Sequence, residues 1–183
     1  MAKLVSKTYG EALFQVAIEQ DKLDSFMEEI ITIQQILKEN PDFFALMNHP
    51  RISKDEKKDV IKNVFVNSVD KEIIGLFDLI ITKDRYHEID SILSYFIEKA
   101  KLEKGIGTAI ITSAVELQEE QKQQISKKLL DTTMYETMEM KYIIDKNLIG
   151  GLIIRINDRV VDSSIKTKLE NMKKELLKIQ LTK

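Results

Sequence analysis

The hydrophobic period of this chain changes after Gly105, and that change limits the folds open to it. Upstream, apolar residues recur every three or four positions, the spacing of one helical face. Downstream, short runs rich in β-branched residues and runs that alternate apolar with polar follow the spacing of strands. A chain patterned this way is mostly α with a small α+β part. The expected architecture is an N-terminal six-helix bundle over 1–105, then a small α+β module over 106–183 with three or four strands and two helices.

Tyr9, Ala12, Leu13, Val16 and Ala17 line the first expected helix, and Leu23, Phe26, Met27, Ile30, Ile33 and Leu37 the second. Asn40-Pro41 opens a third, with proline at the first helical position, where its missing N–H is no loss. His49-Pro50 stops it. Ser53 and Glu56 have the spacing of a capping box ahead of Val60, Ile61, Val64 and Phe65. Asp70 caps a fifth helix carrying Ile73, Ile74, Phe77, Ile80 and Ile81, and a sixth runs from about Tyr86 to Gly105. Gly105 and Gly107 read as a helix C-cap followed by a hinge. Helices one and five carry more apolar surface than one buried stripe needs. Such a surplus marks either a mutual domain interface or a groove for a partner helix.

In the second part, Thr108 to Val115 is a β-branched run only eight residues long, so strand is favoured over helix. Glu119 to about Asp131 is a polar helix with Ile125, Leu129 and Leu130 as its apolar edge. Met138, Met140, Tyr142 and Ile144 alternate with polar residues as a half-buried strand. Gly150-Gly151 opens the strand Leu152 to Ile156, and Asn157-Asp158 forms a tight hairpin turn, since both residue types tolerate positive φ. Val160 and Val161 return, and Asp162, Ser163 and Ser164 offer side-chain oxygens to cap a last helix. That helix repeats Ile165, Leu169, Met172, Leu176 and Ile179 as a coiled-coil-like seam, whose first half is expected to pack on its own sheet. Its lysine-rich flank reads as a solvated face, with an acidic helix or nucleic acid as other possible neighbours.

No catalytic constellation stands out. With no cysteine, disulfides, zinc–thiolate sites and thiol chemistry are excluded. The net charge of −2 speaks against a partner held by phosphate neutralisation. His49 and His87 lack neighbouring ligands in sequence, and turn and cap duties account for Asp158 and Asp162. Gly105-Ile-Gly107 lacks a third glycine and follows a helix, where a dinucleotide loop follows a strand. No apolar run reaches the ~18 residues of a membrane span, and the first residues lack the apolar core of a signal peptide.

Gly151-Leu-Ile-Ile-Arg-Ile-Asn-Asp-Arg-Val-Val-Asp-Ser-Ser-Ile165 resembles the C-terminal signature of the delta subunit of F-type ATP synthase, the bacterial relative of the mitochondrial oligomycin-sensitivity-conferring protein. Tyr9-Gly-Glu-Ala-Leu-Phe14 is similar to that family's Tyr-Ala-x-Ala-Leu-Phe, and Lys83-Asp84-Arg85 to its stop after helix five. Two departures are Gly10 inside helix one, where alanine is usual, and Gln118 where a better N-cap is common. The resemblance implies a non-catalytic stator subunit, without cofactor or metal, on the cytoplasmic face of the bacterial cell membrane. It implies that the N-terminal bundle holds the N-terminal helix of an alpha subunit of the catalytic head through Tyr9, Leu13, Val16, Ile74, Phe77 and Ile81. It implies that the C-terminal module holds the peripheral-stalk b subunits through Leu152, Ile154, Val161, Met172 and Leu176, with Asn157, Asp158, Asp162 and Ser163 as turn and caps. No direct nucleic-acid contact is implied, and membrane contact only through partner subunits. The alternative from the residues alone is a helical regulatory or RNA-binding adaptor using the lysine-rich last helix, and an enzyme using His49 or His87 comes third.

Overall fold

The computed structural model of the protein describes residues 2–65, 68–157 and 159–180. Asp158 and the side chain of Ile179, both named above, lie outside the described residues. The chain divides into two compact units, Met1–Glu103 and Lys104–Lys183. Among the described residues it is mostly helical, with one small four-stranded sheet.

The first unit contains α1 (Ala2–Glu19), α2 (Leu23–Glu39), α3 (Pro41–Met47), α4 (Lys54–Phe65), α5 (Lys71–Thr82) and α6 (Ile89–Glu103). α6 packs against α1 and α2, and α4 against α5. Phe26, Ile30, Ile61, Ile73, Phe77, Ile92 and Phe96 are fully buried between them. Phe65 stacks on Phe77 at 6.0 Å between centroids, and Phe14 meets Phe96 edge-on at 6.5 Å. The caps fall where the sequence puts them. Ser53 N–H donates to Glu56 Oε2 at 2.9 Å while Glu56 N–H donates to Ser53 Oγ, and Asp70 accepts from Glu72 N–H.

Two details differ from the sequence reading. The sixth helix does not start at Tyr86: Tyr86–Glu88 is a tighter 3-10 turn, and α6 begins at Ile89. The chain reverses just before it through Asp84 at φ 57, with Arg85 N–H donating to Ile80 O, so the incoming turn has no room for α-helical spacing. Gly10 is more than a weak helix former. A Cβ there would lie 2.6 Å from Tyr95 Cδ1 and 3.2 Å from Ile92 O, so its absence lets α1 lie close against α6.

The second unit contains β1 (Ile106–Ser113), α7 (Glu119–Thr132), β2 (Thr137–Ile144), β3 (Leu152–Ile156), β4 (Arg159–Asp162) and α8 (Ile165–Gln180). The strand order is β2-β1-β3-β4, with β2 parallel to β1, β3 antiparallel to β1, and β3 and β4 forming the hairpin. β1 buries Ala109 and Ile111 on the face that Leu129 of α7 covers, with Ile125, Met138, Met140, Leu152, Ile154 and Ile156 packed around them. The polar α7 is closed by a reciprocal Gln118–Gln121 capping box, so Gln118 is a working cap.

Gly105 is at φ 66, as a C-cap requires. The hinge reading of Gly107 is corrected. It lies inside β1, where a Cβ would come within 2.6 Å of Tyr135 and 2.8 Å of Met138 Sδ. The first half of α8 does not bury its seam on the sheet either. Ile165, Leu169, Met172 and Leu176 are 43%, 53%, 58% and 63% exposed. Among the described residues, the apolar layer that the sheet buries is already covered by α7.

Candidate partner interfaces

On the first unit, α1 and α5 pack together and are joined at their ends by Gln20 donating to Glu72 and by Lys22 on Asp70 at 2.7 Å. Asp70 is held below its ordinary pKa, first by Lys22 and then by the Glu72 N–H it caps, and Lys22 is raised by the same pair. The expected alpha-subunit contacts divide by burial. Leu13, Phe77 and Ile81 are core residues, whereas Tyr9, Val16 and Ile74 are partly exposed. Leu13, Phe77 and Ile81 therefore support the surface from below. Val5, Tyr9 and Val16 run along one side of α1 at helical spacing, and Leu4 and Ile18 are exposed near its ends. Beside them, Tyr95 donates to Glu11 at 2.9 Å, with Lys99 at 3.5 Å, which lowers the Glu11 pKa.

On the second unit, a groove of about 590 Å³ lies between α7 and the start of β3. Leu117, Ile125 and Leu129 form one wall, Ile149, Leu152 and Ile154 the other, and Gln121, Gln124 and Lys128 add polar groups. Leu152 and Ile154, expected at the stalk interface, thus lie in a cleft. Val161 is opposite Ile154 in the hairpin register and is 57% exposed, so it extends the same sheet face. Met172 and Leu176 lie on the exposed seam of α8, together with Leu177.

The hairpin and caps hold this arrangement in place. Asn157 takes φ 49 and its side-chain amide donates to Tyr135 Oη. Asp162 Oδ1 accepts from Ser164 N–H at 2.8 Å and Oδ2 from Thr167 Oγ1 at 2.7 Å, which lowers the Asp162 pKa. The side chain that caps α8 is Ser164, accepting from Thr167 N–H. Ser163, expected among the caps, donates its backbone N–H to Leu152 O at 2.8 Å. His49 accepts from Arg51 N–H in its turn, and His87 lies 3.3 Å from Glu88, far apart in the sequence and in different turns.

The sequence marks Ile125 and Leu129 only as the apolar edge of a polar helix, and it does not single out Leu117 and Ile149 of the cleft. Ile149 is a β-branched residue at φ 65, an unfavourable conformation, and is 69% exposed. Only a structure exposes that.

A model of the ATP synthase delta (OSCP) subunit matches residues 5–176. The chain belongs to that family. The ATP synthase subunit delta of Lachnoclostridium phytofermentans is 50% identical over 181 residues, 99% of this chain and 100% of that protein. The subunit delta of Halothermothrix orenii is 38% identical, covering 97% of this chain and 93% of its own length. A chain of the cryo-EM structure of the Toxoplasma gondii mitochondrial ATP synthase hexamer has the same fold, with a TM-score of 0.80 at 18% identity over 94% of this chain and 97% of that one. A delta (OSCP) subunit is a peripheral-stalk component of F-type ATP synthase, a structural subunit and not the catalytic one. The process served is ATP synthesis with ion transport, and membrane association comes through the complex. Among the described residues no helix is long and apolar enough to cross a membrane. The RNA-binding adaptor is not favoured.

Proposed function

We propose that the protein is a non-catalytic tether between the catalytic head and the peripheral stalk, stopping the head from turning with the rotor. The first unit, working as a six-helix bundle, takes the N-terminal helix of an alpha subunit along α1 and α5, with Tyr9, Val16 and Ile74 in contact and Leu13, Phe77 and Ile81 fixing the shape beneath. The second unit takes the ends of the stalk b subunits through the cleft at Leu152 and Ile154, through Val161, and through Met172 and Leu176 on α8. It works at the cytoplasmic face of the membrane, reaching the bilayer only through partners.

The observation that carries this reading is the uncovered apolar seam of α8, a contiguous exposed patch of the kind that marks a protein–protein contact. Burying roughly four to six partner side chains at ~1.5–3 kcal/mol each exceeds an association cost of ~4–15 kcal/mol only modestly. One surface alone then gives limited affinity, and attachment at both ends turns the second contact into an intramolecular one. The test is titration of the full-length chain with a peptide of the alpha-subunit N-terminal helix and, separately, with a C-terminal fragment of the b subunit. Ile74→Glu should abolish the first interaction and spare the second, and Met172→Asp with Leu176→Asp should do the reverse. Absence of both interactions at tens of micromolar, with the chain folded, would overturn the assignment.

A further inference from the structure

Ile149 is held at φ 65 and ψ −37, a backbone conformation that any Cβ disfavours and a branched one disfavours further. Its side chain is 69% exposed, so the core of its own unit gains little from it. Glycine or asparagine would make the same turn with less strain and with no apolar surface in water. The turn is fixed from both sides. Before it, Leu148 is buried and Asp145 accepts from Asn147 N–H at 2.9 Å. After it, Gly150 O accepts from Ile165 N–H at 3.0 Å, and a Cβ on Gly150 would lie 2.7 Å from Ile165 Cδ1. A strained residue persists only where its surroundings hold it, and such residues gather at ligand clamps.

The held side chain lines the cleft between α7 and β3. Val115, also 69% exposed, lines it too, whereas Leu129 is buried and Leu152 and Ile154 are half-buried. Val115 and Ile149 therefore form a rim, and the other three a floor. Lys128 on α7 is the charged residue among the described residues of the lining, and no acidic residue accompanies it there. An occupant that gains from both features has an apolar face with a carboxylate beside it, which is the chemistry of an amphipathic helix laid in a groove. The position of the cleft says which helix. Its Ile154 is opposite the exposed Val161, and its Gly150 is bonded to Ile165, where the uncovered seam of α8 begins. Cleft and seam are thus neighbouring parts of one surface.

We propose that Ile149 is a pre-set clamp: with Val115 it closes on apolar side chains of a stalk b-subunit helix seated in the cleft, and an acidic residue of that helix pairs with Lys128. The inference rests on the reading that the second unit takes the stalk. The free chain keeps Ile149 strained, so the side chain is already in place when the helix arrives and less ordering remains to be done on binding.

The experiment is calorimetric titration of the full-length chain with a C-terminal fragment of the b subunit, alongside a thermal melt of each variant. Ile149→Gly and Ile149→Asn relieve the strain, so their melting midpoints should rise by about 2–6 °C. Both should nevertheless weaken binding by about tenfold, because the rim contact is gone. Ile149→Leu keeps an apolar rim and should bind within about twofold of the wild type. Lys128→Gln should weaken binding and flatten its dependence on salt. Midpoints that rise while affinity stays unchanged overturn the proposal and leave the stalk reading standing, with α8 making the contact alone. Midpoints that fall overturn it as well, since no strain was stored. So does a salt dependence that Lys128→Gln leaves as it was. A wild type that fails to bind the fragment at tens of micromolar overturns the stalk reading and the clamp together.

Discussion

Gly151 and Gly105 both take positive φ, at 81° and 66°, yet their surroundings differ. A Cβ at Gly151 would meet Ser163 O at 2.5 Å and Ser164 Cα at 2.9 Å, both backbone atoms of the segment that caps α8. At Gly105 the nearest neighbour is the flexible side chain of Glu136 at 3.3 Å. Gly105→Ala should therefore cost only the conformational strain, about 1 kcal/mol. Gly151→Ala adds a displacement of the Ser163 backbone and should cost about 2–3 kcal/mol. Urea melts of the two variants followed by circular dichroism check the order, and equal losses would contradict it. The same contrast bears on what residues disclose by themselves. That Gly150 and Gly151 mark a tight place is visible in the sequence. That Gly10 exists for Tyr95, eighty-five positions away, is not, because the reason is a helix crossing and no local rule records it.

Among the elements, α5 depends most on its first turn. Asp70 caps it and pairs with Lys22, and the charge of Lys71 adds a smaller favourable contribution. Its folded-state pKa lies below the unfolded one, so the native state keeps the carboxylate ionised to lower pH than the unfolded chain does. The stabilisation is complete above roughly pH 5 and is lost as the pH falls through about 4 toward the lowered value. Stability measured from pH 6 down to pH 3 should fall less steeply in Asp70→Asn than in the wild type, and parallel curves would refute the assignment. This cap, the Ser53–Glu56 box and the proline start of α3 were all legible in the sequence, because capping chemistry is local. The helical stripes of α1 to α6 were legible for the same reason. The fate of the α8 seam was not. Its spacing announces a buried face, but whether the burying surface belongs to the same chain depends on how much sheet α7 leaves free. The cleft was hidden likewise, since Ile149 and Leu129 meet only once the strands are ordered.

For the whole molecule, the described residues form two apolar cores that share no residue. One is large, around Phe26, Phe77 and Phe96, and one small, around Ala109, Ile111 and Leu129. Units with separate cores unfold separately unless something couples them. Calorimetry of the full-length chain should show two transitions, the lower belonging to the second unit. Ile111→Val should lower only the first and Phe96→Leu only the second, and a single shared transition would refute this. The order of strands in that second unit also has a consequence for how the molecule is made. β1 sits in the middle of its sheet but leaves the ribosome before every other strand. Its parallel neighbour follows only with Thr137 and its antiparallel one only with Leu152. At translation rates of ~5–20 residues per second, this β-branched segment waits for seconds with both flanks unzipped. Slow codons between β1 and the β3–β4 hairpin would lengthen that wait.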